Sequence, residues 1–241
     1  MNESDNIALF DMDGTLANYD QAMYDDMVAI RSEHEPPLEF ERLHDLPEPW
    51  ETRRKLIVQR PGWWRNLQPL PVGMWLFERA IALGFKNNIL TKGPKHCPNA
   101  WKEKVEWCHE ELFKSTLTMR RLWQREKWSL DIHIVSDKAI VYGKMLVDDY
   151  PPYVEAWLKH RPRGLVFMPA HKYNEDFTHP NVIRCGPWEP EGFMGWIDKD
   201  HHVFQPEASD FPMLWQMKAD KAMRVCLARK ASEPLDLSTC L

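Results

Sequence analysis

No stretch of this sequence approaches the ~18 consecutive apolar residues that a membrane-spanning helix needs, so no membrane span and no membrane partner are expected. The opening residues, MNESDNIALFDMDG, lack the positive charge of a secretory signal, and their apolar run from Ile7 to Phe10 is too short for a signal core. A basic surplus is missing as well. With 31 Lys and Arg against 36 Asp and Glu the formal charge is −5, which disfavours a broadly basic nucleic-acid-binding surface. The five cysteines, Cys97, Cys108, Cys185, Cys226 and Cys240, are odd in number and form no Cys-x-x-Cys pair. Free thiols in a reducing compartment are expected rather than zinc or disulfides, and the expected location is cytoplasmic. Internal repeats and low-complexity segments are absent, which excludes solenoid and linker readings.

What is there is the composition of a globular chain: 44% hydrophobic and 28% charged residues over 241 positions. A chain of that length buries about 70–75% of its unfolded surface, as one domain with a generous insertion or as two small ones. Tryptophan is abundant at 12 residues, and indoles at that density fill cores or cover ligands.

Ile7 to Phe10 is a short apolar run broken by Asp11, Asp13 and Gly14, the signature of a buried strand that ends in a carboxylate-rich turn. The pattern recurs three times: Asn88 to Leu90 runs into Thr91-Lys92-Gly93-Pro94, Ile132 to Val135 into Ser136-Asp137-Lys138, and Met145 to Val147 into Asp148-Asp149. A further run, Leu165 to Met168, has no comparable polar end. Helical patterns at Val72 to Leu83, Pro98 to Phe113 and Val154 to Leu158 separate the strands. Strands alternating with helices predict an α/β fold with a doubly wound parallel sheet, whose site lies beyond the C-terminal strand ends.

The interval from about Asn18 to Asn66 holds no strand pattern. Tyr19 to Ile30 reads as a helix with Met23, Met27 and Ile30 on one face. A proline-broken stretch and a basic segment, Thr52 to Arg60, follow. A helical insert over the strand ends, placed to act as a lid, is the natural reading. Phe211 to Lys230 reads as an amphipathic helix with Leu214, Met217, Ala222 and Val225 among its apolar positions. The expected division is a core of 1–17 and 67–187, a helical cap of 18–66, and a C-terminal extension of 188–241 packing on the core.

Asp11 and Asp13 sit one residue apart at a strand end, so both carboxylates can face one ligand. Beside a divalent metal, one can stay an ionised nucleophile while the other holds a proton for a leaving group. The plainer alternative is an Asp-Gly turn with two solvated acids.

Phe10-Asp11-Met12-Asp13-Gly14-Thr15 resembles the first motif of the haloacid-dehalogenase superfamily of phosphohydrolases. The resemblance extends in order to Thr91 as second-motif hydroxyl, Lys138 as third-motif lysine, and Asp148-Asp149 as the closing acidic pair. It implies a Rossmann-like core with a cap inserted after the first strand. The catalytic residues it implies are Asp11 as nucleophile and Asp13 as general acid and base, with Thr91 and Lys138 donating to the phosphoryl group. It also implies Mg²⁺ held by oxygens of Asp11, Asp13 (through its backbone carbonyl) and the acidic pair, with Asp149 favoured as direct ligand and Asp148 orienting Lys138. Leu67-Gln68-Pro69-Leu70-Pro71 and Asp148-Asp149-Tyr150-Pro151 narrow the resemblance to the 5′(3′)-deoxyribonucleotidases, over roughly residues 5 to 185. In those proteins cap aromatics surround the base, a position matched here by Trp63 and Trp64.

The sequence also departs from that pattern. Lys92 stands where a small polar residue is usual and adds a cation beside the phosphate. The segment Leu112 to Leu130, with Arg120, Arg121, Trp123, Arg125 and Trp128, is long for the family, and the tail beyond Trp188 has no counterpart. That Arg and Trp cluster could grip a nucleic-acid strand. Arg53-Arg54-Lys55 could meet an anionic substrate, although a solvated helix face explains it more simply; His201-His202 lacks a third ligand for a metal site.

The reading is a Mg²⁺-dependent phosphomonoesterase whose partner is a small phosphoester, a nucleoside or deoxynucleoside monophosphate foremost. The rivals are a phosphatase of another small phosphoester or of a polynucleotide end, and a noncatalytic protein keeping the fold.

Overall fold

Parallel strands covered on both faces are near-continuous apolar runs, and the strands of this chain follow that rule at its centre. In the structure, a computed structural model, residues 6–40, 43, 46–114, 130–186, 214–229, 233–238 and 240 are described. Six strands form one parallel sheet: β1 (Ile7–Phe10), β2 (Lys86–Thr91), β3 (Ile132–Ile134), β4 (Met145–Val147), β5 (Leu165–Pro169) and β6 (Val182–Cys185). Their order is β3-β2-β1-β4-β5-β6. The chain winds outward from β1 to β3 and then returns to β4 on the other side of β1. The topological switch point therefore falls at the C-terminal ends of β1 and β4, the crevice where a doubly wound sheet binds its ligand.

Alternation along the strands divides the core in two. Ala8, Phe10, Ile89, Val147 and Phe167 point into the larger cluster with helices α3 (Pro71–Leu83) and α4 (Pro98–Lys114). Leu9, Leu90, Leu146 and Val166 point the other way, against Val154, Trp157 and Leu158 of α5 (Pro151–His160). Proline opens both α3 and α5, where the missing N–H costs nothing, and Gly84 ends α3 at φ 102°. A Cβ on Gly73 would lie 1.9 Å from the Thr15 carbonyl oxygen, so only glycine lets α3 pack against the turn after β1.

The chain leaves this core and re-enters it side by side. Leu70 N–H donates to Leu16 O (2.7 Å) and Asn18 N–H to Gln68 O (2.7 Å). Between these points lie α1 (Tyr19–Ala29) and α2 (Trp50–Ile57), the latter being the basic segment. Met23 and Met27 are buried as expected, whereas Ile30, expected on the same face, is exposed beyond the helix end. Arg53 forks onto Glu35 at 2.9 and 2.7 Å and lies over the Trp50 ring, so it braces the insert internally.

Helix α6 (Leu214–Ala228) packs on the large cluster through Ala219, Ala222, Met223 and Cys226, with Arg79 paired to Asp220. Its apolar residues Leu214 and Met217 are exposed instead, because they lie off the face that Ala219, Ala222, Met223 and Cys226 bury. Two groups singled out in the sequence, Arg120, Arg121, Trp123, Arg125 and Trp128 in the long connection and His201-His202 in the tail, lie outside the described residues. Among the described residues no helix is long and apolar enough to cross a membrane.

Candidate active site

β1 extends one residue past its apolar run, with Asp11 N–H donating to Val147 O at 2.9 Å. The chain then turns: Leu16 and Ala17 N–H both return to Met12 O, and Gly14 adopts φ 72°. A Cβ at Gly14 would meet Asp149 Oδ2 at 2.6 Å, so glycine is required both by conformation and by the acid packed on it. This turn sets Asp11 opposite Asp148 and Asp149 at the end of β4. One carboxylate oxygen from each of the three lies within 4.8 Å of the others, all in buried residues.

Each carboxylate is held. Met12 N–H donates to Asp11 Oδ1 (2.7 Å), Tyr150 N–H to Asp148 Oδ1 (3.0 Å), and Thr15 Oγ1 and the Tyr173 hydroxyl to the two oxygens of Asp149. Lys138, carried on a short helical turn capped by Asp137, donates to Asp11 Oδ2 at 2.6 Å and Asp148 Oδ2 at 2.7 Å. Burial works against the Lys138 charge, but Asp11 and Asp148 outweigh it and hold the ammonium above the ordinary lysine range. Burial pushes Asp148 up to about 8, with Lys138 opposing and Asp11 reinforcing. It pushes Asp149 up to about 7, again with Asp11 reinforcing.

A second buried lysine approaches from the other side. Lys104 of α4 is fully buried and donates to Asp13 Oδ2 (2.5 Å), Thr91 Oγ1 (3.0 Å) and Lys92 O (3.0 Å). Burial raises the Asp13 carboxyl above its usual range; Lys104 draws it back down, and the Asp11 charge adds to the rise. The structure thus brings together six residues singled out in the sequence, Asp11, Asp13, Thr91, Lys138, Asp148 and Asp149, and adds Lys104. Sequence reasoning missed it, and the one signal that points to it is its place on the helix. Ala100, Lys104, Trp107 and Cys108 share the buried face of α4, where a lysine is out of place without a partner.

The remaining expected residues stand at the margin. Lys92 is exposed, with its ammonium 3.1 Å from the Tyr153 hydroxyl, and the same Tyr153 ring lies 4.6 Å from Lys138 Nζ. Trp63 and Trp64 are 7% and 4% exposed and meet edge to face at 4.8 Å, with Tyr19 packed on both. They sit in a turn pinned by Glu103, which accepts from Gly62 N (2.7 Å) and Trp64 N (3.2 Å). Trp63 Nε1 is committed to Asp26 and Trp64 Nε1 to Val58 O. Of the two indoles it is Trp64 whose ring lies against the charged centre, 4.4 Å from Lys104 Nζ.

The acids fit a hard divalent cation. Asp11, Asp148 and Asp149 face one another with the Lys138 ammonium against two of them, and Asp13 Oδ1 is buried without a hydrogen-bond partner among the described residues. A donor set of oxygens alone, with no sulfur or imidazole, suits Mg²⁺ rather than Zn²⁺.

A parallel α/β sheet with buried acids, two lysines and a threonine at its switch point defines an enzyme of the phosphatase class. Residues 5–194 match the family described as 5′ nucleotidase, deoxy (pyrimidine), cytosolic type C protein, and the chain belongs to that family. The motif resemblance to the haloacid-dehalogenase nucleotidases therefore holds. Proteins of Bordetella pertussis and Bordetella bronchiseptica named, by inference, as 5′(3′)-deoxyribonucleotidases are each 28% identical to it; the matches cover 71% of this chain and 87% of theirs. Among solved structures, a haloacid dehalogenase-like hydrolase, so named by inference, from Burkholderia xenovorans LB400 aligns with 13% identity and a TM-score of 0.44. That alignment covers 74% of this chain and 94% of the other.

Proposed function

We propose that the chain is a Mg²⁺-dependent phosphomonoesterase that hydrolyses nucleoside or deoxynucleoside monophosphates through a phosphoryl group carried on Asp11. The observation that carries this reading is the pair of buried ammonium groups, Lys138 and Lys104, converging on Asp11 and Asp13 beside Thr91. Buried cations and a hydroxyl around two acids are the donors a transferring phosphoryl group needs, since its charge is spread over its equatorial oxygens.

In this reading an Asp11 carboxylate oxygen attacks phosphorus in line. The bond to the ester oxygen breaks as Asp13 gives that oxygen a proton. Water then attacks phosphorus, losing its proton to Asp13, and the bond to Asp11 breaks to release inorganic phosphate. The burial that lifts the Asp13 carboxyl supports its holding the proton for the first step. Lys138, kept charged by its two acids, lies 2.6 Å from Asp11 Oδ2 and supports Asp11 as the group that meets the phosphoryl group. Oxygens of Asp11, Asp149 and the backbone carbonyl of Asp13 would hold Mg²⁺, which when bound withdraws charge from the phosphoryl oxygens. Asp148 orients Lys138, as its 2.7 Å contact supports.

The Trp64 ring, 4.4 Å from Lys104 Nζ with Tyr19 packed on it, supports a ring-bearing leaving group, and the exposed Lys92 adds a cation for its phosphate. Release of phosphate from the mononucleotides, 5′-phosphorylated oligonucleotides and simple alkyl phosphates, with Mg²⁺ present, tests the reading. Mononucleotides turned over fastest support it. Preference for oligonucleotide ends or for alkyl phosphates reassigns the substrate, and no turnover of any of them, nor of an aryl phosphate, refutes the enzyme.

A further inference from the structure

The segment between β5 and β6 follows the one apolar run without an evident polar end, yet it reaches the site from two directions. After Pro169 and Ala170 the chain makes a short helical turn, Lys172–Asn174, closed by reciprocal bonds between His171 and Asn174. Arg184 of β6 fastens that turn by donating to the carbonyls of Asn174 (2.9 Å) and His171 (2.8 Å). The buried Asn174 amide donates to Asp149 O (2.8 Å) and Pro169 O (2.9 Å), tying the turn to the end of β4.

Two side chains project from this anchored turn. The rings of His171 and Tyr173 stack at 5.0 Å with planes 7° apart. The Tyr173 hydroxyl donates to Asp149 Oδ2. His171 Nε2 lies 2.6 Å from the carbonyl oxygen of Gly14, and since a carbonyl only accepts, Nε2 carries the hydrogen. One rigid turn therefore grips both the acid that ends β4 and the turn that follows β1.

We infer that His171 and Tyr173 form a positioning clamp that fixes the Asp149 carboxylate and the Asp13–Gly14 backbone relative to each other for divalent-cation binding. The inference rests on the metal-dependent reading above. With Thr15 on one oxygen of Asp149 and Tyr173 on the other, the carboxylate cannot rotate, while each oxygen keeps a lone pair for a cation. Partners that orient a ligand in this way typically contribute about 10–100-fold to metal affinity or activity.

The test is a calorimetric titration of Mg²⁺ alone into the full chain, with Tyr173→Phe, which keeps the stacked ring and removes only the donor. Tyr142→Phe, at an exposed tyrosine outside the site, is the control. The clamp predicts a dissociation constant raised by about tenfold or more in Tyr173→Phe, with Tyr142→Phe equal to wild type and metal-free melting temperatures unchanged. His171→Phe, which keeps a stacked ring but loses the bond to Gly14, is expected to weaken Mg²⁺ in the same direction. Unaltered Mg²⁺ affinity in Tyr173→Phe overturns the clamp and leaves the metal-dependent reading standing. A metal-free Tyr173→Phe that melts far below wild type makes the hydroxyl structural and overturns the clamp as well. Wild-type protein that binds no Mg²⁺ overturns both.

Discussion

Lys104→Met removes one ammonium from the site and little else, because methionine keeps an unbranched stem and a good helix propensity. Three hydrogen bonds are lost, to Asp13 Oδ2, Thr91 Oγ1 and Lys92 O. The Asp13 carboxyl, already raised by burial, loses the cation that draws it down. Removing one member of a buried pair costs about 3–5 kcal/mol, and because the Asp13 side chain keeps 27% exposure the lower end applies, about 3 kcal/mol. At about 2–4 °C per kcal/mol for a chain of this size, the melting temperature should fall by roughly 6–12 °C. Catalysis should suffer more. Losing one preorganised donor to the transferring group costs about 10²–10³ in kcat, to be read as phosphate release with Mg²⁺ at saturating nucleotide. A folded Lys104→Met protein with kcat within about threefold of wild type would refute the placement of Lys104 at the phosphoryl group.

Three further outcomes are expected. Chelation should abolish phosphate release and added Mg²⁺ restore it, with Ca²⁺ a poor replacement because its looser coordination misplaces the nucleophile; full activity in chelator contradicts the oxygen-ligand site. Trp64→Leu, which keeps the core largely filled, should raise KM for nucleotides by roughly 5- to 150-fold, the equivalent of losing about 1–3 kcal/mol of ring stacking, and leave alkyl phosphates unchanged. An equal effect on both substrates makes Trp64 structural. The hydrogen bond from Arg53 lowers Glu35 from 4.5 to about 2, so its contribution to the insert is present above pH 4.5 and fades as pH falls toward 2. The melting-temperature gap between wild type and Glu35→Gln should close over that interval; a gap that widens there reverses the sign of the linkage.

The site was most legible where chemistry sits at the end of a buried strand. Asp11, Asp13, Thr91, Lys138 and the Asp148-Asp149 pair each follow an apolar run, and a parallel sheet gathers such ends at one edge. Lys104 was hidden because it lies mid-helix among Lys102, Glu103 and Glu106, where a charge run reads as a solvated face unless the burial of Ala100, Trp107 and Cys108 is followed around the helix. His171 and Tyr173 carry no such signal in the sequence. Pro169 and Ala170 separate them from the apolar part of β5, and β6 itself is an edge strand, with Arg184 interrupting its apolar residues. The two tryptophans were located but not oriented, since an extended chain would splay neighbours apart, whereas the turn pinned by Glu103 folds both indoles inward.

The central claim is that Asp11 carries the phosphoryl group. Asp13→Asn should still accept phosphate from an ester with a good leaving group but hydrolyse the adduct slowly, because the residue that activates water is gone. Acid-quenching Asp13→Asn with an aryl phosphate and Mg²⁺, followed by peptide mass spectrometry, should show a phosphoryl adduct on the peptide containing Asp11. The adduct should be absent from the Asp11→Asn, Asp13→Asn double variant. An adduct on any other residue, or wild-type turnover in Asp11→Asn, would contradict the account.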